Sequence, residues 1–274
     1  MVKKSLAVIM SVYKNDIAGY VKQSITSILE QSYQDFDLYL QYDGFIQQEV
    51  DDYICSLTDE RLVVRKRDTN KGLAFSLNEL LDIALSKEYE YIARMDADDI
   101  SENNRFAKQI DYLKNHPDVD MVGGAIREID SEGKDQGKIV KYPCDPEECR
   151  AFFSKRNPVA HPTVMFRRRF FEKTGCLYPT DFMRNEDTRL WHEGYKHNCI
   201  IANLPDVVLN FRVTDDMFKN RRNGKVFAKS QLELRKLVAK DLGFGIMAYL
   251  YAYMTYILMI SPSWVLKIAY KVLR

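Results

Sequence analysis

The chain lacks most of the short signatures that would place it at once. Its 274 residues contain no Cys-x-x-Cys pair, and the five cysteines (Cys55, Cys144, Cys149, Cys176, Cys199) are odd in number and scattered. That pattern fits reduced thiols better than a disulfide framework or a zinc ribbon. No Gly-x-Gly-x-x-Gly follows the first apolar run, which disfavours a dinucleotide site. No Gly-x-x-x-x-Gly-Lys-Ser/Thr occurs either, which disfavours a P-loop. His192 and His197 bracket a glutamate as in a zinc protease, but they stand five residues apart. On a helix that separation is about 140°, too far for two ligands to share one metal. Net charge is only +1, so no overall affinity for polyanions follows. The apolar run Leu6 to Met10 after Lys3 and Lys4 is too short for a signal peptide. No internal repeat or low-complexity tract is present. Composition is that of an ordinary globular protein, 46% hydrophobic and 29% charged, of a length that suits one large domain or a fused pair.

What the chain does have is Tyr91-Ile92-Ala93-Arg94-Met95-Asp96-Ala97-Asp98-Asp99. A strand-like run ends in three carboxylates within four residues. Such groups repel one another, and a divalent cation with hard oxygen ligands, Mg²⁺ or Mn²⁺, would neutralise them. The plain alternative is a solvated turn that caps the next helix.

The first hundred residues alternate strand and helix four times. Strands are predicted at Leu6 to Val12, Phe36 to Gln41, Leu62 to Lys66 and Tyr89 to Met95. Helices are predicted from Asn15 or Asp16 as cap to about Gln31, around Val50, Ile54 and Leu57, and over Leu73 to Ala84. This order argues for an α/β fold with a mostly parallel sheet covered on both faces, where ligands bind beyond the carboxyl ends of strands. Ser11-Val12-Tyr13, Asp43, Arg67 and Asp96 to Asp99 all fall at such ends. Tyr13 suits stacking on a nucleobase, and Asp43 suits accepting a base N–H. Arg67, Asn70 and Lys71 form a polar lip for a diphosphate. Ordinary packing of Tyr13 and a simple turn at Lys71-Gly72 are the alternatives. Beyond residue 100, a helix is predicted over Arg105 to Asn115, a strand over Met121 to Ile129, a turn over Ser131 to Lys134, a strand over Thr163 to Phe166, and a helix over Asn185 to Tyr195.

Ser11-Val12-Tyr13, Tyr42-Asp43-Gly44, Asn70-Lys71-Gly72-Leu73-Ala74 and Arg94-Met95-Asp96-Ala97-Asp98-Asp99 stand in the order seen in family-2 glycosyltransferases. So do His161-Pro162-Thr163-Val164-Met165-Phe166-Arg167 and Asn185-Glu186-Asp187-Thr188-Arg189-Leu190-Trp191. Over about residues 5 to 212 the chain resembles the bacterial members that build O-antigen, capsule or exopolysaccharide units. The resemblance implies a GT-A fold, with a Rossmann-like nucleotide-sugar half (residues 1–100) fused to an acceptor half (101–215). It implies that Ser11 and Tyr13 lie in the nucleotide loop, and that Tyr13 and Asp43 contact a nucleobase, usually uracil. Asp96 would face the ribose and metal region, and Asp98 would bind Mn²⁺ or Mg²⁺ directly. Asp187 would be the catalytic base, with Glu186 as the alternative, and Asp99 would cap the following helix. His161 would shape the acceptor pocket, or simply be locked in place by Pro162. Ser11 and Lys14 stand where Pro and Asn are commoner in the family, and Gln-x-x-Arg-Trp, the mark of processive polymerases, is absent.

A sugar hydroxyl is a poor nucleophile at neutral pH, so a carboxylate that takes its proton assists attack on the anomeric carbon. The nucleoside diphosphate leaves from the opposite face, which inverts that carbon. The cation, with Arg67 or Lys71, offsets charge on the leaving group.

Residues 216–274 differ in character. Lys219, Arg221, Arg222, Lys225, Lys229, Arg235, Lys236 and Lys240 form a basic block, and the 23 residues from Phe244 to Leu266 carry no charge. Four tyrosines and a tryptophan there (Tyr249, Tyr251, Tyr253, Tyr256, Trp264), the Ser261-Pro262 break and the flanking Lys267, Lys271 and Arg274 suit a membrane interface. A monotopic hairpin in the inner leaflet is the preferred expectation and a single crossing the second. A helix pair packed on the domain or on a second copy of the chain is the third. Attachment to the cytoplasmic face of the bacterial inner membrane would suit an undecaprenyl-diphosphate-linked acceptor, as the resemblance implies. Two rival functions are a sugar nucleotidyltransferase and a silent protein whose basic tail binds nucleic acid. The first lacks its Gly-rich loop, and the uncharged aromatic segment speaks against the second.

Overall fold

Leu6 to Met10 are all fully buried, yet their side chains go to two different cores. Leu6, Val8 and Met10 join one, Ala7 and Ile9 the other, as the two-residue period of a strand requires when both faces are covered. The computed structural model describes residues 4–181, 185–214, 225–262 and 265. The first part alternates β1 (Leu6–Tyr13), α1 (Ala18–Leu29), β2 (Phe36–Asp43), α2 (Gln48–Ser56), β3 (Leu62–Arg65), α3 (Leu73–Ser86) and β4 (Tyr91–Met95). These four strands are parallel in the order β3-β2-β1-β4. Register pairs Tyr13 with Asp43 and Met10 with Met95, so the carboxyl ends of β1, β2 and β4 meet at one edge.

The second part continues with β5 (Ile100–Ser101), α4 (Arg105–Asn115), β6 (Met121–Ile129), β7 (Asp135–Val140) and α5 (Pro146–Phe153). A 3-10 turn (His161–Thr163) leads into β8 (Met165–Arg167), α6 (Arg168–Thr174), α7 (Glu186–Lys196) and β9 (Ile201–Arg212). The sheet of the described residues runs on from β4 through β8, β6, β9 and β5, with β7 on β6. β8 is antiparallel to β4 and β6, so parallel and mixed halves form one curled sheet. Helices α1, α2 and α4 cover one face through Val21, Ile25, Val50, Ile54, Phe106 and Ile110. Helices α3, α6 and α7 cover the other through Leu77, Leu81, Phe170, Leu190 and Trp191.

Three local expectations are corrected. Neither Asn15 nor Asp16 caps α1: its N-cap is Ile17, with no side-chain bond. Asp16 instead accepts the Tyr13 N–H at 2.8 Å and closes the turn after β1. The predicted strand Thr163 to Phe166 is split, because Pro162 suits the first turn of a 3-10 helix and only Met165 and Phe166 pair. Asp99 caps no helix, since α4 starts after Asn104.

After β9 come α8 (Lys225–Asp241) and α9 (Ile246–Ile260). Leu234 and Val238 of α8 enter the same core as Trp191. Arg235, expected in the basic block, turns inward and donates to the Phe153 carbonyl at 3.1 Å and to Asn157 at 2.7 Å. Ala248 and Ala252 of α9 are buried, and the Lys155 ammonium lies 5.3 Å from the Tyr251 ring. The opposite side of α9 exposes Ile246, Leu250, Tyr253, Ile257 and Ile260. Among the described residues no helix is long and apolar enough to cross a membrane, since α9 ends at Ser261 after 15 residues. Lys219, Arg221, Arg222, Trp264, Lys267, Lys271 and Arg274 lie outside the described residues.

Candidate active site

Asp43, at the end of β2, is 4% exposed and accepts from four donors. Its Oδ1 takes the Arg67 guanidinium and the Lys71 N–H at 2.8 Å. Its Oδ2 takes the Asn70 amide at 3.0 Å and the Gly72 N–H at 2.9 Å. Arg67 is also bound by Glu79 at 2.8 Å and Ser76 at 2.9 Å. Arg67 and Asn70 thus face Asp43 here, and of the three residues expected at the diphosphate lip Asn70 and Lys71 are exposed while Arg67 is partly buried. Two glycines make this junction possible. Gly44 has φ +83°, and a Cβ on it would sit 2.8 Å from the Asn70 nitrogen. Gly72 has φ +95°. Ser11 is partly exposed on β1, and Tyr13 ends the strand beside Asp43.

At the end of β4, Arg94 is 2% exposed and holds Asp96 in a two-point pair, one arm being 2.6 Å. Ser24 donates to the Asp96 carbonyl at 2.7 Å. Ligand atoms of Asp96, Asp98 and Asp99 lie within 4.8 Å of one another. Asp99 Oδ1 accepts the Arg212 N–H at 2.8 Å, while its Oδ2 is buried with no hydrogen-bond partner among the described residues. Burial, then the charges of Asp98 and Asp96, push the Asp99 carboxyl well above its usual range. An orphaned carboxylate oxygen among two other acids fits a divalent cation, which would satisfy the oxygen and reverse the repulsion. Asp99 therefore joins the Asp96–Asp98 pair as a candidate ligand.

Arg212, at the end of β9, ties this loop down from a distance in sequence. Its guanidinium donates to the carbonyls of Asp98 at 2.8 Å, Asp130 at 3.0 Å and Ser131 at 3.1 Å. It also reaches Gln23 at 2.6 Å and lies 4.1 Å from the Tyr20 ring centre.

The third group is the start of α7. Asp187 Oδ2 accepts from the Asn157 amide at 2.8 Å, and Oδ1 accepts the Thr188 N–H at 2.5 Å. Burial, with the Asp187 charge beside it, raises the Glu186 carboxyl to about 7. Arg94 lowers that value and Asp96 raises it, which places α7 in the same electrostatic neighbourhood as the acid loop. His161 touches α7 and feels the charge of Arg94. Its Nε2 shares a 2.9 Å hydrogen bond with Tyr178, and its ring meets Trp191 edge-on at 5.8 Å. Burial and the Arg94 charge lower its pKa well below the usual value, so the imidazole is neutral at pH 7.

Arg94 therefore pairs with Asp96 and acts electrostatically on Asp99, His161 and Glu186, with Asp43, Arg67, Asn70 and Lys71 in a neighbouring junction at the same sheet edge. Sequence reasoning missed Arg94, Asn157, Tyr178, Arg212 and Arg235. An arginine inside an otherwise apolar strand was a usable signal for Arg94. Nothing local marks Asn157 or Arg235.

The model of the family described as Glycosyl transferase family 2 matches residues 7–175. The chain belongs to this family. Among its relatives is the amylovoran biosynthesis glycosyltransferase AmsE of Erwinia amylovora, 31% identical over 241 residues, covering 87% of this chain and 88% of that one. Another is the UDP-Gal:alpha-D-GlcNAc-diphosphoundecaprenol beta-1,3-galactosyltransferase of Escherichia coli, 25% identical over 231 residues, covering 83% and 80%. Among solved structures, S. aureus TarS 1-349 in complex with UDP-GlcNAc superposes with a TM-score of 0.67 at 15% identity, covering 95% of this chain and 82% of that one. The fold of this glycosyltransferase is GT-A, a curled mostly parallel sheet between helices.

Proposed function

We propose that this glycosyltransferase moves a sugar, with inversion, from a UDP-sugar to a lipid-linked sugar acceptor during assembly of a bacterial surface polysaccharide. The observation that carries the reading is that buried Arg94 holds Asp96 of the Asp96-Asp98-Asp99 cluster and acts, with Asp96, on Glu186 at the start of α7. Donor chemistry and proton removal need two such acidic centres side by side. The names of the two sequence relatives support the polysaccharide setting and the diphosphate-lipid acceptor, and the UDP-GlcNAc complex of TarS supports the donor class.

In this reading residues 1–100 take the nucleotide, with Ser11, Tyr13 and the Asp43 junction near the base and Lys71 toward the diphosphate. Asp96, Asp98 and Asp99 would hold Mn²⁺ or Mg²⁺, whose charge offsets that of the departing diphosphate. Asp187 takes the acceptor hydroxyl proton through the lone pair of Oδ2 that Asn157 leaves open. Glu186 and neutral His161 line the acceptor side, within residues 101–215. Residues 216–274 bring the enzyme to the cytoplasmic face of the inner membrane as a peripheral protein. The apolar face of α9 meets lipid there, beside the exposed Lys225, Lys229 and Lys240 of α8.

Calorimetric titration with a panel of nucleotide sugars, with Mn²⁺, with Mg²⁺ and with chelator, tests the donor half. The expected result is binding of a UDP-sugar that needs the cation and weakens at least ~10-fold in Asp98→Asn. Binding that is indifferent to chelator and to Asp98→Asn would count against it.

A further inference from the structure

Asp187 is not positioned by α7 alone. Its Oδ2 accepts from the Asn157 amide nitrogen at 2.8 Å. That amide nitrogen also lies 2.9 Å from Thr188 Oγ1, and the Asn157 amide oxygen accepts from Arg235 Nη2 of α8 at 2.7 Å. An asparagine amide can present either its oxygen or its NH₂ to a neighbour. A guanidinium only donates and a carboxylate only accepts, so Asp187 draws the NH₂ and Arg235 the oxygen, and the two together fix where the amide sits. Without Arg235 the amide oxygen keeps only the Thr188 hydroxyl, which donates to it at 3.0 Å, and the side chain is free to shift out of line with Asp187. Arg235 is itself held by the Phe153 carbonyl at 3.1 Å and by the Phe153 ring 5.4 Å away. Burial pushes its pKa down to about 10, which leaves the cation intact at neutral pH. The same helix reaches the start of α7 a second time, through the Gln231 amide and Ser230 hydroxyl on the side chain of Asn185.

We propose that Arg235, acting through Asn157, is a positioning residue for the base, and that α8 is thereby part of the active site. The proposal rests on the reading of Asp187 as that base. α8 lies beyond the stretch matched by the family model, residues 7–175.

The test is a double-mutant cycle on the full chain, with transfer and donor affinity measured separately. Arg235→Met keeps an unbranched stem over Phe153 and removes every donor, and Asn157→Ala removes the relay. Each is expected to lower kcat about 10- to 100-fold with donor KM within about 2-fold, since a base displaced by roughly 1 Å costs that much. Arg235→Lys, which keeps one donor, recovers most of the rate. The double variant is no slower than Asn157→Ala, because both act through one contact. Multiplying losses, or a wild-type kcat in Asn157→Ala, would overturn the relay. Asn157→Ala also serves alone if Arg235→Met does not fold. The control Asp187→Asn separates the two ideas. If it transfers at the wild-type rate the base assignment is wrong, and if it is inactive while Arg235→Met and Asn157→Ala are normal, only the relay is wrong.

Discussion

At the residue scale the site is organised by charges that are buried in company. Asp43 is saturated by four donors, so it sets the shape of the junction between β2 and α3. Removing one partner of such a pair leaves a charge stranded, which is why Arg67, Asp43 and Glu79 behave as a unit. Glu186 is the opposite case, a carboxyl raised to about 7 by burial and by Asp187. In the unfolded chain its pKa falls to about 4.3. The folded state therefore holds the extra proton between those values, and stability is lost as pH rises through that window. Urea denaturation in chelator should show Glu186→Gln gaining on the wild type between pH 5 and pH 8, by about 2 kcal/mol. An equal response of the two proteins to pH would mean that Glu186 is not buried as a neutral acid. Arg212 shows what sequence alone withholds. It meets the acid loop only through contacts with residues far back along the chain, Asp99 and Asp98 above all.

At the element scale, legibility follows how each element is buried. β1, β2 and β4 are covered on both faces and read as apolar runs, and α4 and β6 were bounded correctly at Arg105–Asn115 and Met121–Ile129. β9 was missed although it is the longest strand described. It passes through Pro205 and Asp206 and shifts register against β6 near Ala125, so no two-residue alternation survives. α5 was legible and overlooked: Asp145 accepts from the Glu147 and Glu148 N–H groups, with Pro146 at the first helical position. The last helices were misread in one respect. A basic, uncharged-then-apolar pattern suggested a tail, and part of it, Leu234, Arg235 and Val238, is packed inside the protein. α9 remains the element for the membrane reading, with Ile246, Leu250, Tyr253, Ile257 and Ile260 on one exposed side, three or four residues apart. Replacing Leu250 and Ile257 together by Ser should reduce co-sedimentation with phosphatidylglycerol vesicles about 10-fold or more without unfolding the domain. Unchanged sedimentation would remove α9 from the membrane surface.

At the scale of the whole molecule, one curled sheet carries two acidic groups, the loop after β4 and the start of α7. The parallel strands bring Tyr13, Asp43 and the acid loop together through register alone, which is why that half of the site was readable from strand ends. The other half is assembled by packing: α7 sits against β8 and the His161 turn, and α8 locks α7 from behind. No periodicity in the chain encodes those contacts. The central claim is that the two halves meet to transfer a sugar, with donor binding at the acid loop and proton removal at Asp187. Single-turnover transfer from a bound UDP-sugar to a diphosphate-lipid-linked sugar, by wild type and Asp187→Asn side by side, tests it most directly. The account predicts donor affinity within about 2-fold of wild type and a transfer rate lower by about 10²- to 10⁴-fold. Transfer by Asp187→Asn at close to the wild-type rate would contradict it.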